Sequence, residues 1–414
     1  MTTNAAGPEA IPLWAEIDLT ALEHNVRALR ERAPGAELMA VVKADAYGHG
    51  LVPCAQVAVR AGATWLGVAQ LSEACALRDA GVGTRLLSWI YAPGADLAGA
   101  LRRDIDLSAS APWALDEIAG AARLTGRTAR VHLKVDTGLG RGGAFGGDWT
   151  TLVRHARRLE AEEAIRIVGA WTHFAFADAP EHPTVLAQQE RFFEAAAEAE
   201  REGARLEVRH LANSAATLLH PGAHADLVRP GIAVYGLSPV PQVADDFGLR
   251  PVMTLKARLV LVKRLPAGQG ISYGHAYAPA TDTVVGLVPA GYADGIPRHA
   301  SGAGPVLVGT TRSRVAGRVC MDQFVVDLGA GSPARAGDEV VLFGGAPGEP
   351  TAQEWADAAG TISYEIVTRL GARVPRIHVG VPAGIPAGIP AGMPADVPVG
   401  IPAGLSGGGP EAAR

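Results

Sequence analysis

The sequence is poor in cysteine and lysine and has no long apolar run. Its 414 residues include three cysteines, Cys54, Cys75 and Cys320, which form neither an even disulfide framework nor a CxxC pair. A reducing compartment, the cytoplasm, is therefore expected. No stretch approaches the roughly eighteen consecutive apolar residues of a membrane-spanning helix. Residues 1–12 lack a basic segment followed by an apolar one, so they read as a flexible N-terminus with no secretion signal. With 37 Lys+Arg against 42 Asp+Glu the net charge is −5, and no basic block is present, which argues against nucleic-acid binding. Among the 37 basic residues only Lys43, Lys134, Lys256 and Lys263 are lysine. GC-rich coding accounts for a chain rich in Arg and Ala. Arginine, however, cannot supply a neutral amine near neutral pH, whereas lysine can, so each remaining lysine invites a reason.

From Leu38 to about Leu237, short apolar runs alternate with helical stretches. Strands are expected at Leu38–Lys43, Trp65–Ala69, Arg85–Ile90, Asp106–Ala109, Val131–Asp136, Ile167–His173, Arg209–Ala212 and Val228–Tyr235. The Ala/Leu/Arg/Glu-rich segments between them include Leu51–Ala61, Leu71–Ala80 and Gln188–Glu202. Eight such units fit an α/β fold with a (β/α)8 TIM-type barrel, placed over residues 13–240. Thr20–Glu23 reads as a capping box before a helix running to about Arg32, and Trp14–Leu19 alternates like a strand. Residues 241–379 change texture. β-branched runs at Val252–Leu265, Thr283–Val288, Pro305–Val308, Val315–Cys320, Phe324–Leu328 and Glu339–Phe343 are spaced by Gly, Pro and Asp, predicting a predominantly β C-terminal domain. One helix, Ala352–Ala359, precedes a last strand near Arg376–Val379. Residues 380–414 carry a proline-every-fourth-residue repeat that forbids helix and interior strand, a disordered Pro/Gly-rich tail.

The segment AVVKADAYGHG (40–50) carries the strongest chemical signal. An apolar strand ends at Lys43, where a barrel places functional residues. A lysine there is partly desolvated, which lowers its pKa and readies it for Schiff-base chemistry. In VHLKVD (131–136) the period of two puts His132, Lys134 and Asp136 on one face. An inward ammonium there needs a partner. Asn213-Ser214, after a strand and before AATLL, reads in isolation as an N-cap, and His173 as a structural strand-end histidine. The run from Gly138 to Gly143 satisfies the dinucleotide fingerprint G-x-G-x-x-G, but Gly146 and Gly147 follow and no helix opens at the third glycine. His220 and His224 are four apart, yet Pro221-Gly222 breaks the helix a metal pair would need.

The segment VVKADAYGHG closely resembles the pyridoxal-phosphate attachment motif of alanine racemases. The resemblance continues in order through HLKVDTGLGR (132–141), WTHFAFAD (171–178), HLANSAA (210–216), VRPGIAVYGL (228–237), ISYGHAY (271–277), VPAGYADGIPR (288–298), VCMDQ (319–323) and SYEI (363–366). It implies a pyridoxal 5'-phosphate (PLP) enzyme that interconverts L- and D-alanine for peptidoglycan precursors. It further implies a homodimer whose active sites are shared between chains. Carried over by position, Lys43 would hold the cofactor and act as one base, and Tyr273 of the partner chain would act as the other. Tyr47, Asn213, Ser214, Gly231, Ile232 and Tyr364 would surround the phosphate, with His173 beside the ring. Arg229 would face the pyridine nitrogen. A guanidinium there disfavours ring protonation and weakens the electron sink, so reprotonation at Cα is favoured over transamination. An ordinary tyrosine has a pKa of about 10, so a phenolate base at pH 7 costs about 4 kcal/mol, which nearby cations must offset. Arg141, Met321 and Asp322 would hold the substrate, with Tyr292 and Arg298 as supports. Lys134 matches a position that many family members carbamylate, which would orient Arg141; a plain Lys134–Asp136 pair is the alternative.

Two other readings are distinguishable. Related decarboxylases share the plan but rely on a cysteine-containing segment of the second domain, where this chain has Met321-Asp322 after Cys320 and retains Tyr273. Non-catalytic PLP-binding proteins are single barrels without such a β-domain. Phe176 departs from the small or polar residue usual near the site mouth, and leaves substrate width open. Lys256 and Lys263 have no function on this reading.

Overall fold

The computed structural model describes residues 11–380. The tail repeat and the first ten residues lie outside the described residues. Eight parallel strands form the barrel: Glu37–Val41, Trp65–Gln70, Arg85–Ile90, Asp106–Ala109, Ala129–Lys134, Ile165–Trp171, Val208–His210 and Leu227–Val228. The first pairs with the eighth in parallel register, Glu37 opposite Leu227. Closure between the seventh and eighth runs through Asp226 N–H to Arg209 C=O (3.1 Å) and Arg229 N–H to Ala212 C=O (2.9 Å). Alternation sends Val131 and Leu133 into the helix-covered core and His132 into the barrel interior. A layer of Met39, Trp65, Leu87, Val208 and Leu227 fills the floor of the barrel. Above it the interior turns polar, with buried His132, His210, Ser88 and Ser108.

The second domain has a six-stranded sheet, ordered Thr311–Arg314, Pro305–Val308, Glu339–Phe343, Met253–Arg258, Leu13–Asp18, Arg376–Val379, and a three-stranded sheet of Leu261–Leu265, Thr283–Val288 and Phe324–Asp327. The domain boundary at residue 13 is thereby corrected. Leu13–Asp18 is not part of the barrel but lies between Met253–Arg258, antiparallel, and Arg376–Val379, parallel. Its alternation of buried Leu13, Ala15 and Ile17 with part-exposed Glu16 and Asp18 suits a sheet with one wet face, whereas barrel strands are covered on both sides. Lys256 gains a structural role here, pairing with Glu16 at 3.3 Å and Glu339 at 3.5 Å across three adjacent strands.

Other differences are local. The helix after the first strand, Leu19–Arg32, is capped by Asp18, whose carboxylate accepts the N–H groups of Thr20 and Ala21, and not by Thr20. The expected strand Val252–Leu265 is split at Leu259 between two sheets. Val315–Cys320 forms no strand beyond a bridge from Val315 to Val326. Of the expected strand Val228–Tyr235 only the start is barrel: Pro230 still accepts Val41 N–H at 3.0 Å but has no N–H to continue a ladder, and the chain turns into a short 3-10 helix at Ile232–Tyr235.

Candidate active site

Lys43 does not end its strand. It opens a tight turn, Lys43–Gly48, in which Ala44, Asp45, Ala46 and Tyr47 all have φ near +54°. A left-handed run of four non-glycine residues costs roughly 1–2 kcal/mol each, so the surroundings must hold it. Glu73 accepts Ala44 N–H at 2.5 Å, and Asp45 accepts Leu51 N–H at 2.7 Å. Arg376 donates to Gly48 C=O at 2.9 Å and also to the carbonyls of Leu370, Gly371 and Val374. His378 lies 3.0 Å from His49 C=O. Gly48 packs so closely on the Val367 carbonyl that a side chain would collide with it. The last strand thus fastens the lysine turn to the helix Ser363–Thr368, which carries Tyr364. Tyr47 and Tyr364 lie with ring centroids 6.3 Å apart, and burial raises the pKa of both phenols, keeping them neutral.

Around this turn the strand ends gather cations. Burial, then the charge of Arg141, pulls the Lys43 pKa below its ordinary value, with Glu73 opposing. Lys134 lies over the Trp171 ring at 4.3 Å, and burial with Arg141 and Arg229 lowers its pKa to about 8. The Lys134–Asp136 pair does not form among the described residues, because Asp136 accepts the N–H groups of Gly138, Leu139 and Gly140. His173 is held neutral by burial and by Arg229, Arg141, Lys134 and Lys43. Arg229 is buried, and donates to Thr172 C=O at 2.7 Å and to His210 Nδ1 at 3.2 Å.

Asn213 is the N-cap of Ser214–Leu219, its side-chain oxygen accepting Ala216 N–H. The N–H of Gly231 donates to Ser214 Oγ at 2.8 Å, and Ala233 N–H does so at 3.3 Å. A hydroxyl oxygen that accepts twice still has its own O–H to donate. The sequence-predicted barrel residues Lys43, Tyr47, Lys134, Arg141, His173, Asn213, Ser214, Arg229, Gly231 and Ile232 thus come from the strand ends and the loops that follow them.

The second-domain candidates lie on its surface. Tyr273 follows the left-handed Ser272 and is 70% exposed. Tyr292 and Met321 are also exposed, and their backbones are joined through Tyr292 N–H to Cys320 C=O and Ala293 N–H to Met321 C=O. Asp322 accepts from Arg373 at 2.8 Å; Arg298 is exposed in a short 3-10 turn. Phe176 stacks on His182, ring centroids 3.8 Å apart. Glu73, His132, His210 and Arg376 contact this group of residues and were not among the sequence candidates. The period of two had placed His132 on the face of Lys134, and that was the available signal.

A closed barrel with a lysine in the turn after its first strand, cations without carboxylate partners among the described residues and an appended β-domain is the plan of a two-domain amino-acid isomerase. Residues 17–239 match the alanine racemase N-terminal domain and residues 252–378 the alanine racemase C-terminal domain. The chain is 63% identical over 371 residues, 89% of its length and 98% of the relative's, to an alanine racemase of Beutenbergia cavernae. Its structure resembles that of the alanine racemase from D-cycloserine-producing Streptomyces lavendulae, with TM-score 0.89, 56% identity, and coverage of 91% of this chain and 98% of that one. It also resembles the Bacillus anthracis alanine racemase with bound L-Ala-P, with TM-score 0.82, 36% identity, and coverage of 90% and 96%. The chain belongs to the alanine racemase family, and its function is that of an amino-acid racemase. The family is PLP-dependent. Among the described residues no helix is long and apolar enough to cross a membrane.

Proposed function

We propose that this chain racemises alanine with PLP held at Lys43, using Lys43 and a partner chain's Tyr273 as bases on opposite faces of the substrate. The observation that carries the reading is Lys43 itself. Its half-buried amine carries a lowered pKa and sits among Arg141, Lys134 and Arg229, none of which has a carboxylate within ion-pair distance among the described residues. Such a cluster fits the anionic substrate carboxylate and an anionic cofactor, whose phosphate the Ser214 hydroxyl and the neutral Tyr47 and Tyr364 phenols would meet as donors. When bound, the cofactor supplies an electron sink that stabilises negative charge at the substrate Cα. Lys43 would hold it and move a proton at its Nζ. Arg141 would orient the carboxylate with Met321 and Asp322, and His173 and Arg229 would fix the ring. Tyr292 and Arg298 would support the second-domain face.

The exposure of Tyr273, together with exposed Tyr292 and Met321, supports a homodimer in which these residues complete the partner's site. Its three free cysteines suit the cytoplasm, where D-alanine would feed peptidoglycan precursors. The test is deuterium incorporation at Cα of each alanine enantiomer in D2O with PLP. Exchange into both is expected. No exchange into either refutes the reading, and exchange with serine alone relocates the substrate.

A further inference from the structure

The interior of a (β/α)8 barrel is ordinarily packed with branched apolar side chains, yet this one buries two histidines in hydrogen-bonding contact. His132 Nδ1 lies 2.9 Å from His210 Nε2, and His132 Nε2 lies 3.4 Å from Asp106 Oδ2. His210 Nδ1 faces Arg229 Nη1 at 3.2 Å. Both rings are fully buried. His210 stacks parallel on Trp171 at 5.7 Å, and Trp65 meets His132 edge-on at 5.4 Å. Room for the contact is made in the backbone. The register of the fifth and sixth strands slips at His132, which then faces Gly169, where any side chain would collide with the imidazole.

The donors and acceptors in this row can be arranged in one way. A guanidinium only donates, so His210 must offer a lone pair at Nδ1 and carry its proton at Nε2. That proton points at His132 Nδ1, which must accept, leaving the His132 proton on Nε2 and directed at Asp106. The Asp106 carboxylate is itself fixed by Arg130 Nε at 3.2 Å to each oxygen. Arg130 pairs with Glu207, which also holds Arg85 and Arg166. A salt-bridge network at the floor of the barrel is thus joined, through two neutral rings, to the arginine of the active site. Burial keeps His210 neutral, aided by the charge of Arg229.

We propose that Asp106, His132 and His210 are positioning residues for Arg229: the carboxylate holds the His132 proton on Nε2 and so stabilises the one pair of tautomers in which a lone pair, not an N–H, meets the guanidinium. This rests on the reading of Arg229 as the residue facing the cofactor ring. Without the carboxylate the row can reverse. An N–H would then confront the guanidinium, which would rotate away, and protonation at Cα would lose fidelity to transamination.

Solid-state 15N NMR of histidine-labelled protein, prepared without cofactor and assigned with His132→Gln and His210→Gln, reads the tautomers directly. Both rings should carry Nε2–H in the wild type. Asp106→Ala should shift His132 and His210 toward Nδ1–H, whereas Asp106→Asn, which keeps an acceptor, should preserve the wild-type pattern. With PLP and alanine, pyruvate released per racemisation turnover should rise about tenfold in Asp106→Ala, the scale of coupling within one hydrogen-bonded network, and return toward wild type in Asp106→Asn. Should Asp106→Ala not fold, His132→Phe, which removes the link but fills the space, carries the pyruvate measurement. Unchanged tautomers in Asp106→Ala, or unchanged pyruvate yield in both link-breaking variants, overturns the proposal. Absence of alanine exchange in the wild type would defeat the functional reading and leave the tautomer result to stand by itself.

Discussion

Glu73 Oε1 accepts the N–H of Ala44, next to Lys43, while its Oε2 accepts those of Ala69 and Gln70 at 3.1 and 3.0 Å. One carboxylate therefore closes the capping box of the helix Leu71–Asp79 and pins the start of the left-handed turn. Glu73→Ala should cost about 1 kcal/mol, as for loss of a side-chain cap on exposed and part-buried N–H groups, and weaken PLP uptake by apoprotein. Glu73→Gln keeps an acceptor and should recover most of the stability. It should also lower the Lys43 pKa further, because the Glu73 charge works against its depression. Urea melts and cofactor titration check this; an alanine variant matching wild type in both would refute it.

Lys134, with a pKa of about 8, can react with carbon dioxide. Its neutral nitrogen would attack the carbon and lose a proton, giving a carbamate anion facing Arg141. Only the neutral amine reacts, so labelling by 13C-bicarbonate should increase as pH rises from 7 through 8 and plateau above. Carbon-13 NMR on the intact protein reads it, and Lys134→Arg should abolish the signal. A silent wild-type spectrum across that range would leave Lys134 a free amine.

His49 is buried, stacked on Tyr235, with its pKa pulled to about 3 by burial; His173 and His210 are shifted the same way. The native state excludes protons that the unfolded chain binds below about pH 6.5, so stability falls as pH drops below that value. Each excluded proton contributes about 1.4 kcal/mol per pH unit, down to about 3 for His49. Denaturation midpoints should therefore decline steeply from pH 6.5 to 4, and His49→Phe should flatten the slope. Equal slopes in the two proteins would contradict it.

Sharing of sites between protomers has an arithmetic test. Lys43→Ala and Tyr273→Phe homodimers should each be nearly inactive. Mixed at random after denaturation and refolding, half the dimers are heterodimers, each with one intact site, restoring about a quarter of wild-type activity. No recovery in the mixture would place Lys43 and Tyr273 of one chain in the same site.

The barrel was readable because its strands are short continuous apolar runs, and Lys43 because lysine is scarce in this chain. The His132–His210 contact joins positions 78 residues apart, and no local period signals it. The left-handed turn was equally hidden. Ala44–Tyr47 contains no glycine, and its conformation is imposed from outside by Glu73 and Arg376. In the second domain β-branched runs located most strands, but Thr311–Arg314 was missed, since its polar, exposed edge carries no apolar pattern.

The placement of Leu13–Asp18 between Met253–Arg258 and Arg376–Val379 bears on synthesis. Among the described residues, the earliest-made strand waits for the latest-made one before its sheet can form, although the barrel strands lie between them in sequence. Arg376, which clamps the carbonyl of Gly48, arrives with that final strand. A chain cut before Arg376 would thus keep the Glu73 contact to the lysine turn but lose the clamp on Gly48, and should take up cofactor less readily.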